Sequence, residues 1–283
     1  MHPRSVTYPY TAIISDLHGN VPALTVALAD AHERGAERFV CLGDVVGYGS
    51  EPRACLDIIM ELCLASGTTR QEGDERGMCL MGNHEEALMI SAEDFNPKAR
   101  AAIEWTKDEI NVDPKRSDAY WNFLGQLLPT AHDEIAMYAH GSPRNPVREY
   151  MLPRDIQDEE KMNANFACMD RPVCFVGHSH VPCVYFEDGR YFLPKGTDGP
   201  YDLGLPVAGE EADPSGEGAS RAIVNVGSVG QPRDGDPRLS YVMFDGRALT
   251  FVRLEYDHGI AAERIRAIPE LPDFLADRLA AGR

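Results

Sequence analysis

Short apolar runs alternating with amphipathic stretches set the rhythm of residues 1–85. Thr11 to Ser15 reads as a buried strand. Val21 to Arg34 reads as a helix, with Asn20 to cap it, Pro22 in its first turn and Gly35 to stop it. Phe39 to Leu42 is a second apolar strand. Pro52 then opens a helix in which Cys55, Ile58, Ile59, Leu62 and Cys63 recur at helical spacing. Gly67 to Gly77 is polar and reads as an exposed loop, and Met78 to Met81 is a third strand. Strands alternating with helices in this way predict parallel pairing.

The pattern changes after the third strand. Ile90 to Thr130 mixes charges with apolar residues at helical spacing, holds Trp105 and Trp121, and breaks at Asp113-Pro114. It predicts a helical cap inserted at about residues 90–130. Sheet rhythm returns at Glu134 to Ala139 and at Val173 to Val176. Val184 to Leu193 predicts a hairpin turning at Asp188-Gly189. Gly196 to Ser220, rich in Gly, Pro, Asp and Glu, reads as a surface excursion. Arg221 to Val226 is a strand, and Ser240 to Tyr256 a hairpin turning at Asp245-Gly246. The tail from Gly259 is helical, interrupted at Pro269 and Pro272. Early strands with crossovers and late strands in hairpins fit two mixed sheets in one α/β sandwich. With no internal repeat and no linker, residues 1–283 are expected to form a single domain carrying the cap.

Charge and cysteine usage narrow the function. Lys and Arg total 27 against 45 Asp and Glu, a formal charge of −18. Such a surface repels bulk nucleic acid and offers no basic patch to anionic lipid. Seven cysteines are scattered and form no Cys-x-x-Cys pair, which fits reduced, buried side chains. No apolar run approaches the ~18 residues of a membrane span. Only Met1 to Pro9 precede the first strand, too few for a secretory signal, so the cytoplasm is the expected compartment.

Chemistry sits at the strand ends. Asp16-Leu17-His18-Gly19-Asn20 follows the first strand, Gly43-Asp44 the second and Gly82-Asn83-His84-Glu85 the third. His140-Gly141 and Gly177-His178-Ser179-His180 follow later ones. In an open α/β sheet the carboxyl ends of the strands border the ligand crevice. Singly, each fragment is a turn, a helix cap or a hydrogen-bonded histidine. Together they bring Asp, Asn and five of the nine histidines to one edge, and packing alone does not produce that order. His2, His32, His132 and His258 lie elsewhere and read as surface residues.

This arrangement resembles the calcineurin-like metallophosphoesterase superfamily, whose motif order is Asp-x-His, Gly-Asp, Gly-Asn-His-Glu/Asp, His and Gly-His-x-His. The resemblance runs from Asp16 to His180 and, more weakly, through Asn225-Val226-Gly227-Ser228. It implies a four-layer α/β/β/α sandwich of two mixed sheets flanked by helices. It also implies that Asp16, His18 and His180 hold one metal, that Asn83, His140 and His178 hold another, and that Asp44 bridges them. Oxygen and nitrogen ligands without thiolates suit two divalent transition-metal ions, Mn²⁺ first, with Fe, Zn²⁺, Ni²⁺ and Co²⁺ as the others. Two cations ~3.5–4 Å apart can share a hydroxide and clamp the phosphoryl oxygens during in-line displacement. His84 matches the family's substrate-facing histidine, placed to stabilise developing charge or protonate the leaving alkoxide. No phosphoenzyme is expected.

One departure sorts the substrates. Protein serine/threonine phosphatases of the superfamily carry Gly-Asp-x-x-Asp-Arg-Gly, whose Arg grips phosphate; here Gly47 and Tyr48 stand where Asp and Arg would be. Arg144 and Arg233 are substitutes by position, each also readable as a solvated surface residue. Tyr48 reads either as a stacking partner for a base or aryl group or as a packing residue of its loop. The expected activity is therefore hydrolysis of a small-molecule phosphodiester or phosphomonoester, nucleotides included, with Asn83 also touching substrate. The alternatives are a phosphoprotein phosphatase and a silent scaffold that keeps the fold to bind proteins. A DNA nuclease is disfavoured by the −18 charge.

Overall fold

The first apolar run becomes β1 (Thr11–Ile14) in a computed structural model that describes residues 8–71, 76–204 and 220–283. It leads through α1 (Val21–Glu33) to β2 (Arg38–Cys41), then through α2 (Pro52–Leu62) to β3 (Cys63–Ala65) and β4 (Gly77–Cys79). β1, β2 and β4 pair in parallel, and β3 adds to the outer edge of β4. Their near-continuous apolar character suits strands buried on both faces. The Asn20 side chain accepts from the Ala23 amide at 3.2 Å, capping α1 as its sequence predicts.

Three further helices follow, α3 (Asn83–Met89), α4 (Pro97–Ile110) and α5 (Pro114–Leu124). The second sheet starts with β5 (Thr130–His132) and β6 (Ala136–Ala139). After α6 (Glu159–Ala167) come β7 (Val173–Val176), β8 (Cys183–Phe186) and β9 (Tyr191–Phe192). β10 (Asp198–Asp202) returns to the first sheet, and β11 (Ala222–Asn225) joins the second. β12 (Leu239–Phe244) and β13 (Ala248–Leu254) form a hairpin beside β1, and α7 (His258–Arg266) and α8 (Phe274–Ala281) end the chain. The sheet orders are β10-β13-β12-β1-β2-β4-β3 and β5-β6-β7-β11-β8-β9. Both are mixed.

Strand alternation sorts the side chains into layers. Ile13, Val40, Val242 and Phe244 of the first sheet meet Tyr138, Phe175, Val184 and Val224 of the second in one apolar core. Ile14, Cys41 and Met243 point the other way, against the helices of the first sheet's outer face. Cys174, Val176 and Tyr185 point outward against Met162 and Phe166 of α6. The result is the expected α/β/β/α sandwich. Ala102, Ile103 and Ile110 of α4 and Tyr120, Phe123 and Leu124 of α5 join the outer helical layer. The inserted pair is thus part of the core packing.

The structure adds elements that the pattern concealed. Cys63 belongs to β3, because α2 stops at Leu62 and Cys63 takes extended backbone. Three apolar residues directly after a helix carry no period that separates the two states. β10 lies within the stretch read as a surface excursion. It is an exposed edge strand with an irregular register, where Pro200 is tolerated. Residues 205–219 of that excursion, residues 72–75 of the Gly67–Gly77 loop and His2 lie outside the described residues.

A polar cluster ties the sheets together. Asp133 Oδ2 accepts from Tyr8 OH at 2.6 Å, from Arg38 Nη2 at 2.8 Å and from Tyr138 OH at 2.8 Å. Arg38 lies on the first sheet and Tyr138 on the second. Asp133→Ala is expected to cost about 3 kcal/mol at pH 7, because it leaves a largely buried guanidinium without its carboxylate. Burial pushes the Asp133 pKa up, but bonds from Tyr8, the Ala136 and Ile135 amides and the Arg38 charge outweigh it, so the pKa is lowered. That contribution is present above the unfolded value and fades as pH falls through the folded one. Urea titrations of both proteins should show a gap that closes in acid. A gap unchanged down to about pH 2, well below the ordinary carboxyl value, would contradict the assignment.

Candidate metal centre

Asp16 follows β1, Asp44 follows β2 and Asn83 opens α3 just after β4, while His140 and His178 follow β6 and β7. The site therefore lies where the carboxyl ends of both sheets meet. Asp16, His18, Asp44, His140, His178 and His180 are all buried, and Asn83 is half-buried. Reaching inward from strand ends requires unusual backbone. Asp16 (φ 55°), His18 (48°), Asp44 (53°), Tyr48 (63°), His178 (62°) and His180 (60°) all lie in the left-handed region. Among the described residues these are the only non-glycine positions there. Each such conformation costs on the order of 1–3 kcal/mol, so its concentration at one place marks a functional constraint.

Two groups of ligand atoms result. Asp16, His18, Asp44 and His180 converge, as do Asp44, His140 and His178, each group within 4.8 Å. His180 Nε2 lies 3.1 Å from Asp16 Oδ1. Asp44 Oδ2 lies 3.7 Å from His18 Nε2 and 3.4 Å from His140 Nε2, facing both groups. Asn83 Oδ1 stands 3.0 Å from His140 Nε2.

Surrounding bonds fix which ring nitrogens are free. His18 Nδ1 lies 3.1 Å from the Val46 carbonyl and His140 Nδ1 3.1 Å from the Leu42 carbonyl, while His180 Nδ1 meets the Gln231 carbonyl. A carbonyl only accepts, so each ring carries a proton on Nδ1 and turns its Nε2 inward. His18 Nε2 and His180 Nε2 then face each other at 3.3 Å, and His140 Nε2 faces His178 Nδ1 at 3.1 Å. Burial lowers the pKa of both His18 and His180, so these two Nε2 atoms meet as lone pairs, which repel unless a cation lies between them. Asp16 Oδ1 is also buried without a hydrogen-bond donor. These residues fit a pair of cations bound by nitrogen and oxygen.

The electrostatics agree. Burial opposes ionisation of Asp16 and Asp44, yet the neighbouring imidazoles outweigh it and lower both pKa values. Burial would also lower His140, but Asp44 and Asp16 raise it to about 9. Two buried carboxylates thus draw positive charge into the site. Burial lowers His84 to about 4, leaving its ring neutral at pH 7.

Glu85 has a role that its sequence position alone did not disclose. It is fully buried, and its carboxylate accepts from the amides of Asp44 (2.8 Å), Gly82 (2.9 Å) and Val46 (3.2 Å). It therefore holds the Asp44 turn in place. Asp44 Oδ1 in turn accepts from the His84 amide at 2.9 Å. Asn225 bonds the Gly177 carbonyl and Ser228 the Asp16 carbonyl, which anchors the weaker motif beneath the site.

A cleft of about 250 Å³ opens above the ligands, walled by Tyr48, His84, Phe95, Arg148, Tyr150 and Arg233. The Tyr48 ring packs 4.7 Å from His18 and 4.4 Å from His84, so it belongs to the site wall. Arg233 lines the cleft, held by Gln231 Oε1 at 2.8 Å. Arg144 does not line it; its guanidinium is taken up by Glu149, with Nε 2.9 Å from Oε2. Arg148 pairs with Glu86 and Asp94. From the insertion, only the loop residues Asp94, Phe95 and Asn96 line the cleft. His32 and His132 are exposed, and His258 is half-buried beside Tyr256. Tyr150, which stacks on His178 at 3.8 Å, carried no signal in the sequence.

A family model described as calcineurin-like phosphoesterase matches residues 10–189. An uncharacterized protein of Methanocaldococcus jannaschii is 33% identical over 282 residues, 96% of this chain and 98% of its own. The crystal structure of a metallophosphoesterase from Sphaerobacter thermophilus superposes with a TM-score of 0.76 at 32% identity, covering 98% of this chain and 100% of that one. A hypothetical protein from Pyrococcus horikoshii OT3 shares the fold, with a TM-score of 0.71 at 19% identity over 97% and 98% of the two chains.

Proposed function

We propose that this chain, which belongs to the calcineurin-like phosphoesterase family, hydrolyses a small-molecule phosphate ester in the cleft above its clustered imidazoles and carboxylates. The observation that carries this reading is the set of three rings, His18, His140 and His180, each oriented by a backbone carbonyl with its Nε2 toward Asp16 or Asp44. Asp16, His18 and His180 would hold one divalent ion and Asn83, His140 and His178 another, with Asp44 shared. Manganese is our first choice. Once bound, such a pair activates water near neutral pH and withdraws charge from phosphoryl oxygens.

The chain's own side chains supply the rest. His84, neutral and on the cleft wall, donates a hydrogen bond to the departing oxygen. Arg233 meets the anionic substrate on the same wall. Tyr48 and Phe95 pack beside His84 and keep water from it. A narrow cleft in an acidic chain suits a small ester, monoester or diester, nucleotides among them. Buried free cysteines, with Cys168 alone exposed among the described residues, suit the reducing cytoplasm. Among those residues no helix is long and apolar enough to cross a membrane.

The test is turnover by metal-stripped protein on bis-p-nitrophenyl phosphate and p-nitrophenyl phosphate, before and after Mn²⁺ is restored. The stripped protein should be inert and the restored one active on at least one of them. Equal cleavage with and without metal would sink the reading. Silence on both substrates with two ions bound would favour a protein-binding scaffold.

A further inference from the structure

Four imidazoles of the candidate metal centre turn a nitrogen inward, and one of them is held differently from the rest. His18, His140 and His180 each donate from Nδ1 to a backbone carbonyl, those of Val46, Leu42 and Gln231. His178 is turned the other way round. Its Nδ1 faces His140 Nε2 at 3.1 Å, in the group that includes Asp44. An imidazole that serves a cation through Nδ1 carries its proton on Nε2. That Nε2 is buried and has no hydrogen-bond partner among the described residues. A ligating histidine ordinarily gives this proton to a carbonyl or carboxylate, which fixes the orientation of the ring. The His178 main chain is fixed, since its amide donates to Asp16 Oδ2 at 3.0 Å, but the ring lacks that outer bond. The contact with His140 cannot serve instead, because both of its nitrogens are candidate ligand atoms.

What meets the His178 ring is Tyr150. The two rings stack with centroids 3.8 Å apart and planes 21° from parallel. Tyr150 is 44% exposed and lies outside the apolar clusters, so burial in a core does not explain its place. The surrounding chain holds it there. Its carbonyl accepts from Lys161 Nζ of α6 at 2.6 Å. Glu149, just before it, accepts from Ser142 Oγ at 2.6 Å and from Asn165 Nδ2 of α6 at 3.1 Å. Met151, just after it, is fully buried in the cluster with Met162 and Phe166 of α6. Anchored on both sides, Tyr150 keeps its ring over His178 from outside the cleft floor. A surface ring resting on whatever lies beneath it needs no such anchors.

We propose that Tyr150 is the positioning residue of His178: its ring takes the place of the missing Nε2 bond and keeps Nδ1 directed at the ion that Asn83, His140 and His178 would share. The inference rests on the metal-centre reading above and adds to it a residue that is not itself a ligand. The side-chain torsion that turns an imidazole about its own axis is soft when nothing holds the ring. Stacking opposes that rotation, because a turning imidazole drives an edge into the tyrosine face. Since the effect acts through His178, it falls on one ion of the pair. His18 and His180, on the other ion, keep their own carbonyl bonds.

The test is a calorimetric titration of metal-stripped protein with Mn²⁺, for the wild type and for Tyr150→Ala, Tyr150→Phe and Tyr150→Leu. Tyr150→Ala should weaken one of the two ions about tenfold, the lower end of the range for outer partners of ligating histidines, and leave the other within about twofold. Tyr150→Phe, which keeps the ring, should bind both ions as the wild type does. Tyr150→Leu, which keeps bulk without a flat face, should lose most of what Tyr150→Ala loses, and it stands in if the smaller side chain does not fold. Both ions bound by Tyr150→Ala or Tyr150→Leu as tightly as by the wild type would overturn the role. So would an equal loss at both ions, which marks general loosening, or a loss in Tyr150→Phe as large as in Tyr150→Ala, which assigns the effect to the hydroxyl. Binding is read without turnover, so a wild type that holds two ions but cleaves no ester overturns the hydrolase reading and leaves the positioning result intact. A wild type that binds fewer than two ions overturns both.

Discussion

Asp44→Asn is expected to lower turnover by roughly a thousandfold, the scale on which a preorganised electrostatic element is lost. The substitution keeps size and shape, so its effect isolates charge. Asp44 Oδ2 faces His18 Nε2 at 3.7 Å and His140 Nε2 at 3.4 Å, and among the described residues no other carboxylate joins both groups of candidate ligands. An amide there brings no negative charge to balance a cation on either side. Its oxygen can still accept from the His84 amide, and Glu85 still ties down the turn, so the fold should survive. Metal analysis and turnover are measured on the same sample. Reduced occupancy together with lost activity is the expected result. Wild-type turnover in the variant would remove Asp44 from the shared position.

His84→Ala is expected to keep the metals and to lower turnover by about 10²- to 10⁴-fold, the range for a positioned acid–base group. His84 lines the cleft yet is not among either group of converging ligand atoms. Its low pKa makes the neutral ring the working form at pH 7, so it acts as a hydrogen-bond donor whose contact strengthens as charge grows on the departing oxygen. The loss should therefore be larger for an alkyl or phenyl ester than for a p-nitrophenyl ester. An equal loss across leaving groups would place His84 away from that oxygen. Gly47→Ala gives an independent version of the experiment. A Cβ on Gly47 would lie 2.0 Å from His84 Nδ1, and the Gly47 φ of 87° already disfavours a side chain. That variant should also lose turnover while keeping both metals.

Much of this site was legible because its residues sit in short, glycine-bracketed segments directly after apolar strands. Asp16, Asp44, Asn83, His140 and His178 needed only the strand pattern to be brought to one edge. The layered fold was legible for the same reason, since β1, β2, β7 and the β12–β13 hairpin are strongly apolar or alternating. Other features depend on distant chain segments. Gln231 holds His180 through its carbonyl and Arg233 through its side chain, and nothing local to Gln231 announces either bond. Arg278 reaches Tyr48 from the last helix, and the position-based guess Arg144 is instead taken up by Glu149, five residues on. β3 and β10 escaped because one continues a helix without a change of period and the other lies at an exposed edge amid glycine and proline. The insertion after the third strand was readable as helical, but its place in the outer core layer, with only its leading loop over the cleft, is a matter of packing.

The two-metal site is tested most directly by titrating metal-stripped protein with Mn²⁺, following bound equivalents and turnover together. Two ions should bind per chain, with turnover rising as the second site fills and levelling off when both are occupied. Full turnover at one equivalent, or hydrolysis by the stripped protein, would contradict a two-metal site.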